Sequence, residues 1–432
     1  MPGVALQNLG CSKNLIDGER ILGFFRSSGF EPVQDMREAE IIIVNTCAFI
    51  REAQEEAIET ILESASYKKE GKCRTLVVTG CFSQRYREEV ADRFPEVNLW
   101  AGVDDWEKVL TEHFAGGKVV SFERELMEPL STQYIKIAEG CSHKCSFCAI
   151  PSIRGPFKSR SPQSIIEEAV WLYSKGAREL ILVAQDTSFY GRESGFTLTA
   201  LLEELLKKTS FHWIRMMYLH PQFVDDSLLK LVASEKRICP YFDIPLQHIS
   251  DPILKSMHRS PLSAGIYKLI ERIRSIVPDA ALRSSFILGY PGEKENHFNE
   301  LRKFIEFARF DKLGVFPFSP EQGTSAYNMK GRPRTSTVQK RCEELMLLQR
   351  EISREIMESK IGTSIEVIVD SVSEDPDYNF EARSRSDAPE IDGKVFISSG
   401  SYAPGTFVKV KVFGAGDYDL FAEPLDKGCD CL

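Results

Sequence analysis

Three short apolar runs, each leading to a cysteine, open the chain. Residues 4–9 lead to Cys11, 41–45 to Cys47 and 75–79 to Cys81; after each, the apolar positions change to helical spacing over 16–25, 53–65 and 84–94. Continuous apolar runs alternating with amphipathic helices predict a βαβαβ unit, an open parallel α/β sheet. The carboxyl ends of its strands face one ligand-binding edge, so three cysteines distant in sequence are expected to meet there. Cys73 precedes its strand, belongs at the opposite edge and is not expected to be a ligand.

From residue 134 the chain repeats strand and helix with short connections. Strands are expected over 134–138, 180–184, 213–218, 241–246, 282–288 and 313–318, with helices over 165–173, 199–206, 226–233, 264–276 and 295–308. Six such units predict a partial (β/α)6 barrel, a fold that keeps its chemistry at the strand carboxyl ends. Gln185, Asp186, His220, Gln247, His248 and the stretches 289–293 and 321–324 fall there, although each is equally ordinary loop chemistry. Arg283 stands apart, because a charge inside an apolar strand needs a partner or a ligand. A long helical stretch over 335–361 follows the basic turn 331–334. It leads to five short strands over 365–369, 378–383, 394–397, 407–413 and 419–422, which suggest a small antiparallel β-barrel of OB-like size. The expected domains are therefore 1–125, 131–355 and 356–432.

Composition narrows this picture. The chain has 432 residues, 43% hydrophobic and 27% charged, which suits several globular domains and excludes a disordered or fibrous protein. Its 11 cysteines are an odd number, and no secretory leader pattern opens the sequence, so they point to thiolate ligands in the reducing cytoplasm rather than to disulfides. No apolar run approaches the ~20 residues of a membrane span. A net charge of −9 advertises no nucleic-acid partner. From residue 359 on, five Lys and two Arg face nine Asp and five Glu, a net −7. Such a barrel should repel phosphate and attract a basic protein, unless the charge is merely a solvated surface. The terminal Cys429-Asp430-Cys431-Leu432 has the outline of a prenylation box, but Asp430 is not aliphatic and the segment reads as a frayed tail. A monomer is expected.

The densest chemistry lies between Gly140 and Gly155, where Cys141, Cys145 and Cys148 stand as C-x3-C-x2-C. Three thiolates on one loop can hold one face of a 4Fe–4S cube and leave its fourth iron without a protein ligand. Zinc would need a fourth ligand at matching spacing; His143 lies between ligands and its ring would have to double back. The same count at Cys11, Cys47 and Cys81 predicts a second three-ligand cluster. The competing reading there is the common one for a lone thiol, a small buried hydrophobe.

With Phe147 just before its last cysteine, the Cys141 loop resembles the signature of radical S-adenosylmethionine (SAM) enzymes, whose open iron chelates SAM. Taken with Gly10-Cys11, Asn45-Thr46-Cys47, Gly80-Cys81 and the closing β-barrel, essentially the whole chain resembles the methylthiotransferases, which join an amino-terminal cluster domain, a radical-SAM barrel and a TRAM domain. The resemblance implies two 4Fe–4S clusters and SAM, with Gln185 and Arg283 as candidate SAM-binding residues and flavodoxin or ferredoxin as electron donor. Gly10-Cys11-Ser12-Lys13-Asn14, Ala184-Gln185-Asp186-Thr187, Pro245-Leu246-Gln247-His248-Ile249-Ser250 and Asp387-Ala388-Pro389-Glu390-Ile391-Asp392-Gly393 look like the branch acting on an aspartate of ribosomal protein S12. The other branch acts on an adenosine of tRNA. For the first branch the resemblance implies a SAM-derived radical that takes a hydrogen from the aspartate β-carbon. Sulfur would come by way of the amino-terminal cluster, and a second SAM would give the methyl group.

Overall fold

The apolar runs at 41–45 and 75–79 become strands buried almost from end to end, as the middle strands of a sheet covered on both faces must be. The computed structural model describes residues 1–127 and 129–425. These divide into two units that are discontinuous in sequence. The first takes residues 1–127, 139–158 and 319–327; the second takes the described residues of 128–138, 159–318 and 328–432.

In the first unit, β1 (Gly3–Asn8), β2 (Glu31–Pro32), β3 (Ile41–Thr46), β4 (Thr75–Gly80) and β5 (Leu99–Trp100) form a sheet in the order β2-β1-β3-β4-β5, every pair parallel. Helices α1 (Ser12–Ser27), α2 (Arg51–Glu70), α3 (Cys81–Val90) and α4 (Trp106–Phe114) alternate with them. The period of two sends Ile42, Val44, Leu76 and Val78 into one core with Ala57, Ile61 and Phe82. Ile41, Ile43 and Val77 enter the other, with Phe24, Phe25 and Trp106. The segment 139–158 adds a short helix, α5 (Ile150–Arg154). From 319–327, Glu321 accepts from Arg85 and from Gln54 Nε2, both at 2.9 Å, and the Arg85–Glu321 pair is buried.

The second unit contains the six expected parallel strands. β6 (Thr132–Lys136), β7 (Glu179–Val183) and β8 (Trp213–Met216) lie in the order β8-β7-β6, and β9 (Tyr241–Asp243), β10 (Ala281–Leu288) and β11 (Lys312–Pro317) in sequence order. The apolar runs 213–218 and 241–246 outlast their strands. Tyr218 and Gln247 take the left-handed conformation (φ 60° and 72°), and Pro245 has no N–H to give a ladder.

Helix α6 (Thr335–Glu358) leads to β12 (Ser364–Val372), β13 (Phe380–Ser384), β14 (Val395–Ile397), β15 (Phe407–Ala415) and β16 (Leu420–Pro424), a closed barrel in the order β12-β13-β14-β16-β15. It is not wholly antiparallel: β14 and β16 run parallel. A ring of five strands cannot alternate direction all the way round, so one seam has to be parallel.

The two barrels of this unit are joined by buried charge. Glu179, the first residue of β7 and fully buried, accepts from Arg215 Nε at 2.8 Å and pairs with Arg383 of β13 at 2.9 Å; Arg383 also holds Asp370 at 2.8 Å. Burial alone would raise the Glu179 pKa, but Arg383 and Arg215 together hold it below its ordinary value. Nearby, Lys312 pairs with Asp387 at 2.8 Å, and Asp392 accepts from the Tyr241 hydroxyl at 2.7 Å. Arg383 also donates to Thr132 Oγ1 at 3.1 Å; because Thr132, Glu179 and Lys312 each begin a strand, segment 383–392 covers the amino-terminal mouth of the partial six-stranded barrel. Replacing Glu179 with Gln leaves Arg215 and Arg383 facing each other without their shared anion. This variant is expected to lose about 3–5 kcal/mol in denaturant unfolding, and a loss below 1 kcal/mol would mean that the pair is not a structural joint.

Candidate functional site

Three strand-to-helix turns lie at one edge of the first sheet. β1 runs into Cys11, which precedes α1; β3 runs directly into Cys47; β4 ends at Gly80, and Cys81 begins α3. Gly10 and Gly80 both have φ near 90°. A Cβ on Gly10 would come within 2.8 Å of the Cys47 Cβ, and one on Gly80 within 2.5 Å of the Thr46 carbonyl. Only glycine meets both the conformation and the space, which is the physical content of each Gly-Cys pair.

A belt of amides and hydroxyls ties these turns together. Asn14 Nδ2 donates to the carbonyls of Leu9 and Thr46, both at 2.9 Å, linking the Cys11 turn to the Cys47 turn. Asn45 Nδ2 donates to Asn8 Oδ1 and to the Asn14 carbonyl. Thr46 Oγ1 donates to the Thr79 carbonyl and accepts from the Phe82 N–H, which brings in the Cys81 turn. Carbonyls and amides released at the strand ends are thus satisfied without water.

The three thiols are free and electrostatically coupled. Burial pushes Cys81 up to about 11, against the opposing charge of Arg154, and Cys47 and Cys11 raise it further. Burial likewise raises Cys47, although the N–H of Phe49 points at its sulfur and works the other way. Cys11 is half-buried, yet its pKa falls, because Lys13, Arg154 and the N–H groups of Asn14 and Lys13 outweigh the desolvation.

The second cysteine set occupies the 139–158 loop of the same unit. Its base is closed by the Cys141 N–H donating to the Gly155 carbonyl at 3.0 Å. Gly140, at φ 73°, has no room for a Cβ, which would sit 2.2 Å from the Pro156 carbonyl. The Cys148 N–H donates to the Cys145 carbonyl, and the Ser146 carbonyl accepts from the Ala326 N–H at 2.8 Å. Cys141, Cys145 and Cys148 remain half-buried.

Arg154, at the end of α5, links the two sets. Its side chain is 1% exposed, and it donates to Asp17 at 3.2 Å, Glu139 at 3.1 Å and the Asn14 side-chain oxygen, which also accepts from the Cys81 thiol at 3.8 Å. Sequence reasoning singled out neither Arg154 nor Lys13, and it gave Asn14 only as part of a resembling stretch. The available signal for Arg154 was a lone charge closing the otherwise uncharged run Ala149 to Ile153.

Most of the other candidates belong to the second unit. Gln185 is half-buried just beyond β7 in the second unit. Beside it, Asp186 accepts from Ser188 Oγ at 2.6 Å, and Ser188 accepts from the His220 N–H. Arg283 donates to Asp243 at 2.9 Å and lies 3.6 Å from Asp392. His248 is buried and accepts at Nδ1 from the N–H groups of Ile249 and Ser250; burial, and then His297, bring its pKa down to about 3, so it is neutral. Glu293 accepts from Arg341 and the Gly289 N–H. Cys73 sits at the amino end of β4, away from the other thiols, with its sulfur on the Thr75 carbonyl at 3.6 Å. Cys429 and Cys431 lie outside the described residues.

Both cysteine sets fit iron–sulfur ligation by their donor chemistry. Each offers three soft sulfurs, and the amino-terminal set also has hydrogen bonds and cations directed at the sulfurs. Comparison with known proteins agrees with this. Residues 3–102 match Uncharacterized protein family UPF0004, 135–305 the Radical SAM superfamily and 361–425 the TRAM domain. The ribosomal protein uS12 methylthiotransferase RimO of Syntrophus aciditrophicus is 43% identical over 442 residues, covering 97% of this chain and 98% of that protein. Its namesake in Geobacter sulfurreducens is 42% identical over 437 residues, with the same shares. Among solved structures, the radical S-adenosylmethionine methyltransferase TsrM from Kitasatospora setae shares the fold, with a TM-score of 0.56 at 14% identity over 84% of this chain and 79% of that one. The cobalamin-dependent S-adenosylmethionine radical enzyme OxsB does so with a TM-score of 0.53 at 12% identity, over 82% and 56%. A radical-SAM domain uses a 4Fe–4S cluster and SAM, and at this identity over nearly its full length the chain belongs to the RimO family of radical SAM methylthiotransferases.

Proposed function

We propose that this chain acts on ribosomal protein uS12, inserting sulfur at the β-carbon of an aspartate and methylating it to 3-methylthioaspartate. The observation that carries the reading is the meeting of two separate three-cysteine sets in one unit. One set serves the radical chemistry, and the other gives the sulfur a place to come from. In this reading Cys141, Cys145 and Cys148 hold the cluster that binds SAM, while Cys11, Cys47 and Cys81 hold a second 4Fe–4S cluster. Such groups supply one-electron chemistry that breaks an unactivated C–H bond, which acid–base catalysis does not reach. The chain's own residues do the placing. Gly10 and Gly80 let the three turns close on one another, Asn14 and Thr46 fix their spacing, and Cys81 is buried with Cys11 and Cys47 half-buried beside it.

The small barrel supports a basic protein substrate over RNA. Three of its carboxylates, Asp370, Asp387 and Asp392, turn inward onto Arg383, Lys312 and Tyr241. Others remain outside: Glu374, Asp375 and Asp377 are exposed in one loop, and Tyr378, Phe396 and Phe421 lie beside one another half-buried. A surface of this sign repels phosphate and suits the cationic chain of a ribosomal protein. A flavodoxin or ferredoxin is the proposed reductant, and the working form is a monomer. Among the described residues no helix is long and apolar enough to cross a membrane.

Changing Cys11, Cys47 and Cys81 together to Ala is expected to remove half the iron of anaerobically reconstituted protein while the reduced enzyme still cleaves SAM; unchanged iron content would dismiss the second cluster. Offered a uS12-derived peptide and unmodified tRNA in parallel, with SAM and a reductant, the enzyme is expected to add a methylthio group to an aspartate of the peptide alone, read by mass spectrometry. Modification of the tRNA alone would overturn the substrate assignment.

A further inference from the structure

We propose that Arg154 is a positioning residue for the amino-terminal cluster. Although it belongs to the loop of Cys141, Cys145 and Cys148, its guanidinium braces Asn14, the side chain against the Cys81 sulfur, and supplies the buried positive charge that sets that cluster's reduction potential. The inference rests on the reading that Cys11, Cys47 and Cys81 bind a cluster.

The geometry leaves the guanidinium little freedom. Its planar N–H fork is engaged by Asp17 from α1, by Glu139 two residues before Cys141, and by the Asn14 oxygen. Asn14 is the residue whose amide nitrogen clamps the Cys11 and Cys47 turns. The same Asn14 oxygen accepts from the Cys81 thiol at 3.8 Å, which puts the guanidinium one atom beyond that sulfur's partner, and its charge acts on Cys81, Cys11 and Cys47. With the side chain 1% exposed, solvent neither screens this charge nor replaces a lost partner. A single cation therefore bears on all three sulfurs. The other charges facing the site are Lys13 near Cys11 and the two carboxylates, Asp17 and Glu139, that orient Arg154.

A reduced cluster carries one more negative charge than an oxidised one. A buried cation close to the ligand sulfurs favours the reduced state, and local charge is one of the protein's means of setting such potentials. The neutral clamp at Asn14 fixes spacing and contributes no charge. Arg154 supplies that charge from the neighbouring cysteine loop, so the loop that holds one cluster tunes the other.

The test uses the full chain with Cys141, Cys145 and Cys148 changed to Ala, reconstituted anaerobically so that only the amino-terminal cluster is present, and titrated electrochemically with EPR detection. In this background Arg154→Gln is expected to keep its iron, move the midpoint to more negative potential and alter the EPR line shape. Arg154→Lys, which keeps the charge, is expected to return most of the potential. Glu139→Gln, which removes a counter-charge, is expected to move it the opposite way. A merely structural clip would not produce shifts of opposite sign. Equal potentials and spectra for the parent and Arg154→Gln at equal iron content would overturn the proposal, as would loss of iron in both the Gln and the Lys variants. Failure of the parent triple variant to take up any iron would instead bring down the amino-terminal cluster reading, and the proposal with it.

Discussion

Parallel strands deliver their carboxyl ends to a single edge, and in the first unit that edge carries sulfur. Each strand end there releases a backbone carbonyl from the ladder just where the chain must turn tightly enough to present a thiol. Both demands are met by the same few residues. Glycine at positions 10 and 80 allows the turn, and the side chains of Asn14, Asn45 and Thr46 take up the released backbone groups. The burial that protects the thiols also makes their charged form costly, which is why cationic and N–H partners crowd Cys11 and Cys81.

Much of this was legible in the sequence, because doubly buried strands are written as unbroken apolar runs. The edge strands Glu31–Pro32 and Leu99–Trp100 left no such trace, being two residues long, and α4 and α5 went unread as well. The convergence of Cys11, Cys47 and Cys81 followed from topology alone. Their polar support did not, since nothing about Asn14 or Thr46 in sequence reveals which carbonyl lies within reach. Arg283 shows the same limit from the other side. The sequence said that it needed a partner, but Asp392 lies more than a hundred positions away in another predicted domain.

That second case reflects how the second unit handles charge. Carboxylates of the small barrel that look, in a count, like surface acidity are partly internal fasteners. Asp387 and Asp392 face Lys312, Tyr241 and Arg283, while Glu179 of the larger barrel is shared by Arg215 and Arg383. The boundary drawn near residue 356 from composition is thus a boundary of pattern. The charges that cross it make the two barrels one body.

The first unit is assembled from three separated stretches of chain, 1–127, 139–158 and 319–327. Its sheet has all its strands within the first hundred residues or so and can form early. The cysteine loop arrives later, and the Glu321 and Ala326 contacts on Arg85 and Ser146 wait for the whole intervening segment. Contacts of such long sequence separation form slowly. During synthesis, then, the strands that carry the amino-terminal thiols leave the ribosome long before 319–327, the segment that completes their unit.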